Sequence, residues 1–152
     1  MDRHATHEGA TRVGWAEDLV ELLDRTLQYQ HCAVFIDDGS GERLLLAAQR
    51  WGPGEDLGFV RPGEWTVAVE GSIVGQAFRT AEPVLLPDVG LRADDGTLPR
   101  ATAGSELAVP ILVDGRAVGV IDVGSPRLGA YGIADVDALL RHAEAAAELI
   151  PR

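Results

Sequence analysis

Apolar positions along the chain recur with a helical period at both ends and with strand-like alternation between them. Trp15, Leu19, Leu22, Leu23, Thr26 and Leu27 share one helical face, with Glu17, Asp18, Glu21 and Asp24 opposite, which predicts a helix over Trp15–Tyr29. His31–Asp37 alternates as a strand, with Cys32, Val34 and Ile36 on one side and His31, Ala33 and Phe35 on the other. Arg43–Trp51 follows after an Asp38-Gly39-Ser40-Gly41 turn and is apolar on both sides: Leu44, Leu46 and Ala48 against Leu45, Ala47 and Trp51. A strand apolar on both faces is covered on both faces. Trp65–Val69 is a third strand, Gly71–Thr80 a short helix with Ile73, Val74, Ala77 and Phe78 as its apolar face, and Val84–Leu86 a short buried strand. Ser105–Pro126 reads as a hairpin turning at Asp114-Gly115, with Val109, Ile111 and Val113 alternating on one strand and Val118, Val120 and Asp122 on the other. Ile133, Val136, Leu140, Ala143 and Ala147 define a closing helix to about Ile150, with Asp135 and Asp137 in its first turn.

Between these elements, Gly52–Gly63 and Pro87–Gly104 carry little core pattern and read as loops, the second long enough to be a lid or binding segment. Met1–Val13 is polar and aperiodic, an expected flexible tail, so the expectation is one domain over residues 14–152. A single cysteine excludes an intramolecular disulfide and points to a reducing compartment. With no apolar run near the length of a membrane span and no signal-peptide core, the expected location is cytoplasmic. The formal net charge of -11 argues against nucleic acid and anionic membrane as partners. Every basic residue outside the four histidines is arginine, and asparagine is absent too, which removes lysine chemistry and every motif requiring Asn.

Three segments carry a family resemblance: EGSIVGQAFRTAEPVLLPDV, SELAVPILVDGRAVGVIDVGSP and AYGIADVDALLRHAEAAAELI. In this order and spacing the chain resembles the GAF domain family from about Trp15 to Ile150. The resemblance implies an α+β fold: a central antiparallel sheet with the N- and C-terminal helices on one face. A roof formed by the short helix and the long loop would enclose a pocket on the other. It further implies a two-fold homodimer through the terminal helices and a sensory or regulatory role, with a signalling protein as a possible partner.

Residues then separate the subfamilies. The cyclic-nucleotide signature needs Asn and Lys, which this chain lacks. A pigment-linking cysteine is not expected, because Cys32 lies in the first strand, away from the roof segment. No histidine lies between Cys32 and Arg141 to serve as a haem ligand. The hairpin is similar to that of free methionine sulfoxide reductases, whose reaction needs a thiolate and a resolving thiol. The positions matching their cysteines are about Val74 and Pro99, and of their three ammonium-gripping acids two match Glu106 and Asp122 while the third matches Gly124. No enzymatic activity, cofactor or metal site is therefore expected.

Candidate ligand-binding residues are Glu106 and Asp122 at the open end of the hairpin, Asp88 and Arg100 in the roof, and Trp65 and Phe78 as stacking surfaces. Solvated loop charges and core packing are the competing roles for the last four. Regular pairing from Asp114-Gly115 sets Leu107 opposite Asp122, which puts Glu106 on the other face. A one-residue bulge, for which Pro110 is a natural place, brings both acids to one side, where they could hold a cationic group. His31 and Cys32 point to opposite faces and cannot pair, so Cys32 reads as a buried structural thiol. The expected function is a GAF-type module that binds an unidentified small molecule. The alternatives are a degenerate domain used only for dimerisation or partner binding and, less favoured, a sulfoxide reductase-like enzyme.

Overall fold

The computed structural model describes residues 14–25, 31–51, 61–91 and 104–150. The expected tail, Thr26, Leu27, Arg100 and Pro99 lie outside the described residues. Helix α1 covers residues 14–25. It is followed by β1 (His31–Asp37), β2 (Arg43–Trp51), β3 (Thr66–Ala68), α2 (Ile73–Thr80), β4 (Val84–Leu86), β5 (Ser105–Val113), β6 (Arg116–Ser125) and α3 (Ile133–Ala147). A short 3-10 turn, Val89–Leu91, follows β4. The strands form one six-stranded sheet in the order β3-β2-β1-β6-β5-β4, with all neighbours antiparallel.

The sheet is buried on both faces, as the doubly apolar β2 requires. Trp15, Leu19, Val20 and Leu23 of α1 and Leu139, Ala143 and Ala146 of α3 pack over Cys32, Val34, Leu107, Val109, Ile111, Ile121 and Val123. On the other face Ile73, Val74 and Ala77 of α2 pack over Ala33, Phe35, Leu44, Leu46, Ala108 and Val120. The buried stripes of the outer helices differ in phase from the sequence reading. Val20 is buried where Leu22 was expected to be, and Leu22 is 37% exposed. Ile133 is 78% exposed because it precedes the first turn that reaches the sheet, and Leu139 and Ala146 take the contact.

Two bulges set the registers. In β2, Val34 pairs with Ala48 and Phe35 with Leu46, so Ala47 is the extra residue. Ala48 therefore lies on the helix side with Ala47, not with Leu44 and Leu46. In the β5–β6 hairpin, Asp114 (φ 53) and Gly115 (φ 79) make the expected tight turn. Ile111 then pairs with Gly119 and Leu112 with Ala117, which leaves Val118 as the extra residue. The bulge is thus on β6; Pro110 stays in the ladder opposite Val120. Consequently Val118 packs on the helix side and Val120 on the α2 side.

Helix α2 starts at Ser72, whose side chain accepts a hydrogen bond from the Gly75 N–H (3.0 Å) and donates to the Ala68 carbonyl (2.7 Å). It ends at Ala81 in the left-handed region (φ 58). Helix α3 is capped by Asp135, which accepts from the Gly132 N–H at 2.9 Å. No described helix is long and apolar enough to cross a membrane.

Candidate functional site

The bulge at Val118 decides which chemistry the α2 side of the sheet carries. It moves the pairing by one residue, so Asp122 sits opposite Ala108 and Glu106 opposite Gly124. Residues two apart on a strand share a face, and Glu106 and Asp122 therefore both project toward the α2 side. They are diagonal neighbours, roughly 7 Å apart by ordinary antiparallel geometry. Both are fully buried, Glu106 at 1% and Asp122 at 0% exposure.

The adjoining strands add two polar residues that sequence reasoning left out of the site. His31 faces Gly124 across the β1–β6 ladder, and Gln49 pairs with Ala33, which itself faces Asp122. One cross-strand row therefore reads His31, Gly124, Glu106, and the next reads Gln49, Ala33, Asp122, Ala108. Small residues alternate with polar ones, so the sheet floor is low between the side chains that rim it. His31 is 1% exposed. Burial lowers its pKa to about 4, with an interaction with the Gln49 side chain working the other way, so the imidazole is neutral at physiological pH. Strand alternation groups His31 with Ala33 and Phe35, which is the signal the sequence offers for its place on this face.

Among the described residues no group of three His, Cys, Asp or Glu side chains converges closely enough to hold a metal ion. Cys32 donates its S–H to the Val20 carbonyl (3.7 Å) beneath the helices. Burial, reinforced by the charges of Asp24 and Asp122, pushes its pKa up to about 12. Such a thiol does not ionise near neutrality, and the thiolate is the reactive form.

The other candidate residues are dispersed. Trp65 and Phe78 are half-buried against the α2-side core. Phe78 also lines an open cleft of about 450 Å3 with Gly41, Glu42, Val69, Glu70 and Arg79. That cleft adjoins the β1–β2 turn, at the far end of β1 from His31. Asp88 accepts a hydrogen bond from the Gly90 N–H (2.9 Å), a local turn contact. Val74, which matches a reductase cysteine position, is a fully buried core residue.

Solved structures share this architecture at low sequence identity. The GAF domain of a phosphoenolpyruvate-protein phosphotransferase from Coxiella burnetii matches with TM-score 0.76 at 19% identity, covering 97% of this chain and 89% of that one. The free methionine-R-sulfoxide reductase of Neisseria meningitidis, in complex with its substrate, matches with TM-score 0.75 at 21% identity, covering 95% and 82%. A type II free methionine-R-sulfoxide reductase from Thermoplasma acidophilum matches with TM-score 0.73 at 20% identity, covering 92% of each chain. These likenesses concern the fold. No curated protein matches the sequence. The GAF domain family model matches residues 15–150, and on that match, together with a sheet sandwiched between paired outer helices and α2, the chain belongs to the GAF domain family.

Proposed function

We propose that this GAF domain is a sensory module that binds a small organic cation on the α2 side of its sheet. GAF domains are typically sensory or regulatory. The observation that carries the reading is the placement of two fully buried carboxylates, Glu106 and Asp122, on one sheet face beside the glycine floor at Gly124. Away from water the attraction of a carboxylate for a cation is stronger than in solution. Bound ligand would hold α2 against β5 and β6, which it contacts, and so couple occupancy to the helices across the sheet.

Native mass spectrometry of freshly purified protein and NMR titration with propylammonium test this together. We expect a small basic adduct, and at least about tenfold weaker propylammonium binding in Asp122→Asn and Glu106→Gln, since a charge-assisted contact is lost. Equal binding by both variants and the unaltered protein would discard the reading.

We read the domain as non-enzymatic, because its one thiol is buried and un-ionised. The prediction is that it does not reduce free methionine sulfoxide; measurable turnover would contradict it. A homodimer through α1 and α3 is the second reading. It is favoured by a shallow groove of about 110 Å3 between those helices, lined by Trp15, Leu19, Leu22 and Leu149, with Leu149 62% exposed. The same mass spectra report the oligomeric state, and a monomer at all concentrations removes that reading.

A further inference from the structure

The open cleft of about 450 Å3 at the far end of β1 has three walls: the β1–β2 turn at Gly41 and Glu42, the end of β3 at Val69 and Glu70, and the last turn of α2 at Phe78 and Arg79. These walls are tied to one another. The Val69 N–H donates to the Glu42 carbonyl at 2.9 Å, and α2 lies so close to Val69 that Gly75 has no room for a Cβ. Within the turn, Asp37 accepts from the Gly39 and Gly41 N–H groups (3.1 and 3.3 Å), and Ser40 Oγ accepts from those of Glu42 and Arg43 (3.0 and 3.2 Å). An occupant therefore bears little of the cost of ordering the cleft. Val69 and Phe78 give it apolar surface. Two carboxylates stand against one guanidinium, which leaves one negative charge on a protein of net charge -11. The Glu70–Arg79 pair is loose, with 3.7 Å between Oε1 and Nη1 and side chains 85% and 49% exposed, and such pairs contribute little. Among the described residues the Glu42 carboxylate makes no hydrogen bond or ion pair.

We propose that this cleft is a docking site for an arginine side chain carried by an extended segment of a partner protein, with its guanidinium paired to Glu42 and its stem over Phe78 and Val69. The inference goes beyond the sensory reading above and does not depend on it. Charge complementarity selects the occupant. One monocation neutralises the cleft, whereas an acidic or phosphorylated segment meets two carboxylates and is repelled. Arginine suits the lining better than lysine. Its planar fork pairs with a carboxylate through two parallel hydrogen bonds and packs flat on an aromatic ring, and its methylene stem covers apolar surface while the head stays wet. Glu70 supplies a second acceptor once its exposed pair with Arg79 is given up. The openness of the cleft favours a segment over a free guanidinium compound. A charged head alone leaves the apolar lining in water, and the neighbouring residues of a segment cover it.

The test is a 1H–15N NMR titration of the full chain with the peptide acetyl-Gly-Leu-Arg-Leu-Gly-amide and its lysine and citrulline counterparts, citrulline being the uncharged analogue of arginine. The amides of Gly41, Glu42, Glu70 and Arg79 should shift with the arginine peptide. The lysine peptide should bind about three- to tenfold more weakly and the citrulline peptide at least about tenfold more weakly, since a bidentate and then a charged contact is lost. Glu42→Gln should weaken the arginine peptide by about three- to tenfold. Glu144→Gln makes the same change of charge at an exposed position of α3 and should leave the affinity within about twofold, which separates the cleft from attraction by overall charge. Methylguanidinium alone should bind at least about tenfold more weakly than the peptide, which separates a docked segment from a small-molecule site. No binding of the arginine peptide, lysine or citrulline binding as tightly, equal weakening by the two variants, methylguanidinium matching the peptide, or shifts gathered around His31 and Gly124 each overturn the inference. None of these results bears on propylammonium at Glu106 and Asp122, which its own titration decides.

Discussion

Gly75→Ala is expected to lower unfolding stability by about 3 kcal/mol, read as a reduced urea midpoint with an unchanged slope. Ordinarily this substitution inside a helix gains about 1 kcal/mol, because alanine has the better helix propensity. Here the sign reverses. Gly75 is buried on the inner face of α2, and a Cβ built there would fall on the Val69 backbone carbonyl. Backbone cannot rotate aside as a flexible side chain can, so α2 must lift or Val69 must move. Val69 donates to the Glu42 carbonyl at 2.9 Å, and Ser72 ties the helix start to Ala68 at 2.7 Å, so neither adjustment is free. Lifting α2 also withdraws Ile73, Val74 and Ala77 from the core over Phe35, Leu46 and Val120. A variant as stable as the parent would show that α2 is not seated tightly on the sheet.

The seating of α2 was readable in the sequence as far as the helix itself. Ile73, Val74 and Ala77 occur at helical spacing, and all are buried. The two-sided sheet was readable from β2, where apolar residues occupy both faces. Register was harder, because a bulge leaves only a local trace. Gly119 carried that trace. A glycine inside a strand marks a bulge or a close backbone approach, and a Cβ at Gly119 would lie 2.6 Å from the Phe35 carbonyl. Pro110 also fits a bulge, and nothing in the local pattern ranks one above the other. The ladder does: the extra residue is Val118, beside Gly119. Either placement brings Glu106 and Asp122 to one face, so the pairing of the acids was foreseeable though its cause was misplaced. Ala48 was assigned to the wrong face because the bulge at Ala47 falls in an Ala-Ala pair, where alternation carries no contrast. Phe78 has apolar character suited either to core or to ligand, and its chemistry does not separate the two. Of the residues that share its cleft, Glu70 and Arg79 are close to it in the chain, whereas Glu42 comes from the distant β1–β2 turn.

Acid should weaken the fold between about pH 6.5 and 4, with one titrating proton of that loss belonging to His31. In the unfolded chain a histidine has its ordinary value near 6.5, whereas in the fold burial brings His31 to about 4. The unfolded state therefore binds a proton that the folded state refuses, and stability falls as pH is lowered through that window. Above pH 6.5 both states are neutral and the contribution is fully present. Over the whole window the loss amounts to roughly 3 kcal/mol. His31→Gln keeps a polar side chain that does not titrate. Glu106 and Asp122 face His31 from β5 and β6 and persist in both proteins, so the difference between the two pH profiles isolates the imidazole. The expected result is that urea midpoints of the unaltered protein drop more steeply from pH 7.5 to 4.5 than those of His31→Gln, by about 2.5 kcal/mol after conversion. Parallel profiles would mean that the ring is solvated or that a carboxylate holds its proton. Protonation would also place an imidazolium across Gly124 from Glu106, where it competes with any bound ammonium. In the folded protein that imidazolium forms only near pH 4, so cation binding at this site should hold through the interval in which the fold weakens and fall only as pH approaches about 4.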